Sequence, residues 1–155
     1  MCIRSLPRTV KIRVIPTLYY ASGNGVRKLV RMIVKDYCRG FNVCVAKPYD
    51  LYVVFAPDIQ DKESGTWNTQ LAGLHVKYDG EKPECVIMLN TVVMNDAPSR
   101  DTLITLIHEV IHYCQVITDR HQSDYEPKKY SYHPSELEAH GLQEHYLNLW
   151  HKNTA

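Results

Sequence analysis

A chain of 155 residues, 45% of them hydrophobic, is the size of one domain and can bury a core without disulfide staples. Its formal net charge of +1 excludes a general electrostatic attraction to nucleic acid or to an anionic membrane surface. The five cysteines (Cys2, Cys38, Cys44, Cys85 and Cys114) are odd in number and form no C-x-x-C pair, which predicts reduced thiols buried as small core residues in an intracellular protein.

The first residues are interrupted by Arg4, Pro7, Arg8, Lys11 and Arg13 and offer no apolar stretch long enough for a signal peptide. No later segment approaches a membrane span. The expectation is one cytoplasmic domain over residues 1–155.

In chain order, Val10 to Tyr20 is rich in β-branched and aromatic residues and reads as a strand, followed by a turn at Ser22-Gly23-Asn24-Gly25. Val26, Leu29, Val30, Ile33 and Val34 recur at helical spacing, predicting an amphipathic helix over Val26 to Tyr37 that ends at Gly40. Arg27, Lys28, Arg31 and Lys35 lie largely on its other side, where a solvated face is the simpler explanation than phosphate contact. Phe41 to Val45 and Asp50 to Phe55 are strand candidates, and Asp58 to Gln70 reads as a loop. Leu71 to Tyr78 and Cys85 to Asn90 are expected to pair as a hairpin around Asp79-Gly80. Asn95 to Arg100 is a loop in which Ser99 could cap a helix running from Arg100 to about Asp119. A polar, tyrosine-bearing connection from Arg120 to His133 leads to a last helix from Pro134 to about His151. Strands first and two helices last indicate an α+β domain, with a mixed and mostly antiparallel sheet expected.

The feature that carries chemistry is His108-Glu109-Val110-Ile111-His112, an H-E-x-x-H pentapeptide inside the first of those two helices. Histidines one turn apart can direct both imidazoles at one zinc ion, and the glutamate between them is placed to take a proton from water. At about 100° per residue, His112 lies ~40° and Glu109 ~100° from His108. Leu103, Leu106, Ile107, Val110, Cys114 and Ile117 fall on the opposite side, while Asp101, Thr105, Gln115 and Asp119 share the histidine side. A surface helix bearing two ordinary histidines would give the same spacing. The position of Glu109 and the supply of acidic and histidine residues downstream favour a metal site.

A catalytic zinc takes three protein ligands and keeps one position open, so one ligand remains to be found. Glu136, Glu138 and His140 all lie in the run from His133 to His140. On the last helix Ala139, Leu142, Tyr146, Leu149 and Trp150 form the apolar stripe, and Glu136 and Glu138 flank it on opposite sides, so periodicity does not choose between them. Ser135-Glu136-Leu137-Glu138 also matches an S-x-x-E capping box, which would occupy Glu138 and leave Glu136 freer. His140, one turn after Glu136, could be an outer partner of the ligands or a hydrogen-bond donor to substrate.

These residues resemble the zincin metallopeptidases of the gluzincin type. Glu136-Leu137-Glu138-Ala139-His140 is similar to the E-x-x-A-N segment of the ImmA/IrrE family, with His140 where that family has Asn. The resemblance spans roughly the last 70 residues. It implies a minimal zincin domain with one N-terminal helix, a motif helix and a C-terminal helix. It further implies Glu136 as third ligand to one Zn²⁺ per chain, and Cys85 to Asn90 as an edge strand holding an extended protein or peptide substrate. Glu109 would be the general base, with His140 also in the catalytic site. Tyr130, Tyr132, His133 and His140 are candidates to stabilise the oxyanion. The SprT-like proteases, which use a third histidine and act on DNA-crosslinked proteins, are a second resemblance, with His121, His133 or His140 available for that role. A metal-binding interaction protein without hydrolytic activity is the alternative outside the enzymes.

Overall fold

The computed structural model describes residues 2–15, 23–56, 72–77, 83–90, 100–121 and 133–154. Four strands, β1 (Ile12–Ile15), β2 (Asp50–Ala56), β3 (Ala72–Lys77) and β4 (Glu84–Asn90), form one sheet in the order β1-β2-β4-β3. Three helices, α1 (Gly23–Phe41), α2 (Arg100–Ile117) and α3 (Pro134–Thr154), complete the described elements.

The mixture of helix and sheet agrees with the expectation, as does the antiparallel pairing of β3 with β4, but the mostly antiparallel sheet does not. β1 pairs with β2, and β2 with β4, in parallel, and only β3 runs antiparallel to its neighbour β4. The sheet is mixed and mostly parallel. The cause lies in α1: parallel neighbours need a crossover, and a long helix between β1 and β2 supplies it. Phe41 to Val45 is not a strand. Phe41 closes α1, and Asn42 adopts φ 54° immediately after it. There the amide of Val43 donates to the carbonyl of Cys38 (3.0 Å) and that of Asn42 to Arg39 (3.4 Å). This is a Schellman stop with asparagine in the left-handed position, so Gly40 lies within the helix instead of ending it.

Side chains alternate along the sheet. Leu51, Val53 and Phe55 on β2 stand opposite Cys85, Ile87 and Leu89 on β4, and all six are buried. Val26, Leu29, Val30, Ile33, Val34 and Tyr37 of α1 join them, as do Leu106, Ile107, Val110, Ile111, Tyr113, Cys114 and Ile117 of α2, in one continuous core. Complete burial of a residue such as Ile107 or Ile111 contributes about 1.5–3 kcal/mol. α3 lies against α2 and adds Ala139, Tyr146 and Leu147 to the same core.

The C-terminal end of α2 is fastened to the segment entering β2. The amides of Ala46 (2.7 Å) and Lys47 (2.9 Å) donate to the carbonyl of Ile117, Lys47 pairs with Asp119 (2.7 Å), and the Tyr113 hydroxyl donates to the Tyr49 carbonyl (2.6 Å). These bonds fix the rotation of the motif helix on the sheet.

Two further expectations are corrected. Cys2 and Cys44 form a disulfide across 42 residues of sequence, leaving Cys38, Cys85 and Cys114 as buried free thiols. Cysteine counting missed this because the partners are brought together by the return of the chain beside α1, where the amide of Val45 also donates to the carbonyl of Ile3 (2.7 Å). β4 is not the edge strand: it lies between β2 and β3, and β3 forms that edge. On α1, Arg31 reaches the carbonyls of Leu6 (3.2 Å) and Val10 (3.2 Å), so part of the basic face serves to hold the N-terminal segment.

Among the described residues no helix is long and apolar enough to cross a membrane. The loop over Asp58 to Gln70, the turn at Asp79-Gly80, the Ser99 cap, and Tyr130 and Tyr132 lie outside the described residues.

Candidate metal centre

His108 and His112 project from the side of α2 that faces the start of α3. His108 Nε2 is 2.8 Å from Glu136 Oε1, His112 Nε2 is 2.9 Å from Glu136 Oε2, and the two Nε2 atoms are 3.2 Å apart. All three side chains are largely buried, with 13%, 13% and 5% of their surface exposed.

The tautomers follow from the outer contacts. The Gln115 amide nitrogen donates to the Ser135 carbonyl (2.8 Å) and to Glu138 (3.3 Å), which orients its Oε1 toward His112 Nδ1 at 2.7 Å. On the other ring, Gln143 Oε1 lies 3.1 Å from His108 Nδ1. A carbonyl oxygen can only accept, so each Nδ1 carries the proton, and in a neutral imidazole Nε2 is then a bare lone pair. Burial, reinforced by His112, pushes the His108 imidazole below its usual range despite the opposing pull of Glu136. Two Nε2 atoms and the Glu136 carboxyl group thus face one another at 2.8–3.2 Å in a buried site. A metal cation held between these atoms would satisfy all three at once, as would a proton shared between an imidazole and the Glu136 carboxyl. Tetrahedral donors about 2.05 Å from zinc would stand about 3.3 Å apart, close to the spacing seen here.

His140 stands on the outer side. Its Nε2 is 3.1 Å from Glu136 Oε1, its side chain is 61% exposed, and its ring centroid is 4.7 Å from that of His108. His108, Glu136 and His140 each offer a donor atom, all within 4.8 Å of one another, and this group could hold a metal ion.

Glu109 is buried, at 7% exposure. Its carboxyl is pushed up to about 7, first by burial and then by Glu136, with His112 opposing.

Glu138 turns away from the site. Its carboxylate accepts from the Tyr37 hydroxyl, from Arg120 Nε (2.9 Å), and from Gln115 (3.3 Å), and it pairs with His121 (2.8 Å). Arg120 in turn lies over the Phe41 ring, 3.8 Å from its centroid. Desolvation would raise the Glu138 carboxyl, but the hydrogen bonds from Tyr37, Arg120, His121 and Gln115 outweigh it and hold the group below its ordinary value. The capping-box assignment is therefore corrected: Glu138 joins α1, the end of α2 and α3. His121 belongs to that cluster instead of to the two motif histidines. His133 precedes α3, and its carbonyl accepts from the amides of Glu136 and Leu137, both at 3.0 Å.

Gln115 and Gln143 were not singled out as site residues from the sequence. Gln115 was visible on the histidine side of α2, one turn after His112, whereas nothing local marks Gln143. The sequence matches no protein-family model, no curated protein and no solved structure.

Proposed function

We propose that the protein is a zinc metallopeptidase in which His108, His112 and Glu136 hold one zinc ion and Glu109 is the general base. The observation that supports this best is the convergence of two Nε2 atoms and one carboxyl group, with a glutamine behind each ring. Two imidazoles and one carboxylate suit zinc better than calcium or magnesium, which prefer oxygen donors throughout. The gluzincin-like pattern, and the similarity of Glu136 to His140 to the ImmA/IrrE segment, point the same way.

Bound zinc supplies a Lewis acid for a peptide carbonyl and lowers the pKa of water. Glu109 follows His108 directly, and its buried carboxyl is placed to take a proton from that water and return it to the leaving amine. Gln115 and Gln143 keep both Nε2 atoms aimed inward, as the second partners of metal-binding histidines generally do. β3 is the antiparallel edge of the sheet and contacts α2. Among the described residues no strand pairs with its outer edge, which offers backbone groups to an extended peptide beside the motif helix, in place of the β4 edge expected from the sequence. The substrate class is therefore a protein or peptide in extended form.

The test is metal analysis by mass spectrometry on wild type and Glu109→Gln, followed by hydrolysis of labelled casein and a quenched-peptide library. Both proteins are expected to carry about one zinc per chain, with hydrolysis by the variant reduced about 10²–10⁴-fold. Undiminished hydrolysis by Glu109→Gln, or no zinc in wild type after reconstitution, refutes the proposal. Zinc retention with unchanged partner binding and no hydrolysis in either protein would instead identify a metal-binding interaction protein.

A further inference from the structure

We infer that His140 is a fourth protein ligand, which closes the metal site until an incoming ligand displaces it. The inference rests on the metal site proposed above and concerns the coordination position that a catalytic zinc must leave open.

Three observations support it. Glu136 and His140 are four residues apart on α3, hence on one helix face. Glu136 Oε1, which lies 2.8 Å from His108 Nε2, also lies 3.1 Å from His140 Nε2. His140 therefore points its own nitrogen at the carboxylate that also meets His108, and these three residues form a group, without His112, whose donor atoms lie within 4.8 Å of one another. His145, five residues further along α3, instead pairs with Asp36 at 3.2 Å, so aiming at the metal centre is not a general property of histidines on this helix.

The exposures give the arrangement its consequence. The inner three donors are almost wholly covered, whereas the His140 side chain is 61% exposed. Four protein donors make a closed site that admits neither water nor a carbonyl, and three make an open one. Because only His140 can leave without exposing a buried polar group, it is the ligand that an exogenous donor replaces. No covalent bond changes in the exchange: one neutral nitrogen lone pair gives way to another electron-pair donor.

The experiment loads the full chain and the His140→Ala and His140→Asn variants with cobalt(II) as a spectroscopic probe. Each is titrated with azide, and zinc affinity is measured in parallel against a chromogenic chelator. With His140 as ligand, the wild-type visible spectrum resists azide at concentrations that saturate both variants. Zinc affinity falls at least about tenfold in the variants, the lower end of what loss of an outer partner alone costs. Equal azide binding and equal zinc affinity in all three proteins would remove His140 from the coordination shell while leaving the three-ligand site intact. Failure of every protein to bind cobalt or zinc would overturn the metal site itself and this inference with it.

Discussion

Replacing Glu138 by alanine separates two carboxylates that stand two residues apart and do different work. Tyr37 is fully buried, and without Glu138 its hydroxyl loses its acceptor, a loss of about 1–3 kcal/mol. Burial and then Glu138 raise the Tyr37 hydroxyl far above its ordinary value, so it remains a donor throughout the accessible pH range. Arg120 and His121 are 30% and 18% exposed and recover part of their hydration, which limits their joint contribution to roughly 1 kcal/mol. The sum is about 3 kcal/mol, or about 6–12 °C in melting temperature for a domain of this size. Calorimetry of the metal-free proteins measures it, and mass spectrometry of the same samples after reconstitution should still find about one zinc per chain. The pH dependence has a defined sign. Because the folded-state pKa of Glu138 is lowered, its contribution is complete above the unfolded carboxylate pKa of about 4.3 and fades as pH falls through the folded value. The difference between wild type and variant should therefore be constant near neutrality and shrink below about pH 4. The opposite pattern, an unchanged melting temperature with loss of zinc, would show that Glu138 and not Glu136 is the ligand.

Two other changes probe the frame of the site. Gln115→Leu should lower zinc affinity about 10–100-fold by freeing the His112 ring, as read by chelator competition, whereas an unchanged affinity would mean that the Gln115 contact does not orient the ligand. Opening the Cys2–Cys44 bridge by Cys2→Ser, or by reductant, releases a closure of 42 residues and should destabilise the fold by at most about 4 kcal/mol. Chemical denaturation measures this, and identical curves with and without reductant would mean that the bridge does not constrain the unfolded chain.

The motif was legible because its chemistry is local. Histidines four apart on a helix share a face wherever the helix lies, and the apolar positions of α2 (Leu106, Ile107, Val110, Cys114 and Ile117) are buried as their spacing required. The same periodicity marked α1 and α3, with boundaries moved by a few residues where Asn42 supplied an unrecognised stop. The sheet was less legible. Strand composition locates a strand without stating its neighbour, so the parallel order, the strand at the edge and the cysteine that meets Cys2 depended on how α1 returns the chain.

The choice between Glu136 and Glu138 as candidate third ligand shows where the division falls. Glu136 and Glu138 point about 200° apart on α3, so their spacing establishes that they face different surroundings. It cannot establish which surroundings, because a helical wheel has no origin until its neighbours are placed. The docking of α3 on α2 set that origin, turning Glu136 to the two Nε2 atoms and Glu138 to Tyr37, Arg120 and His121. Residue identity and helical period thus determined by themselves that two histidines share one face of α2 with a glutamate beside them. The approach to that face by Glu136, Gln143 and His140 was decided by tertiary structure, since those residues lie on α3 and meet α2 only through the packing of the two helices, whereas Gln115 shares α2 with His112.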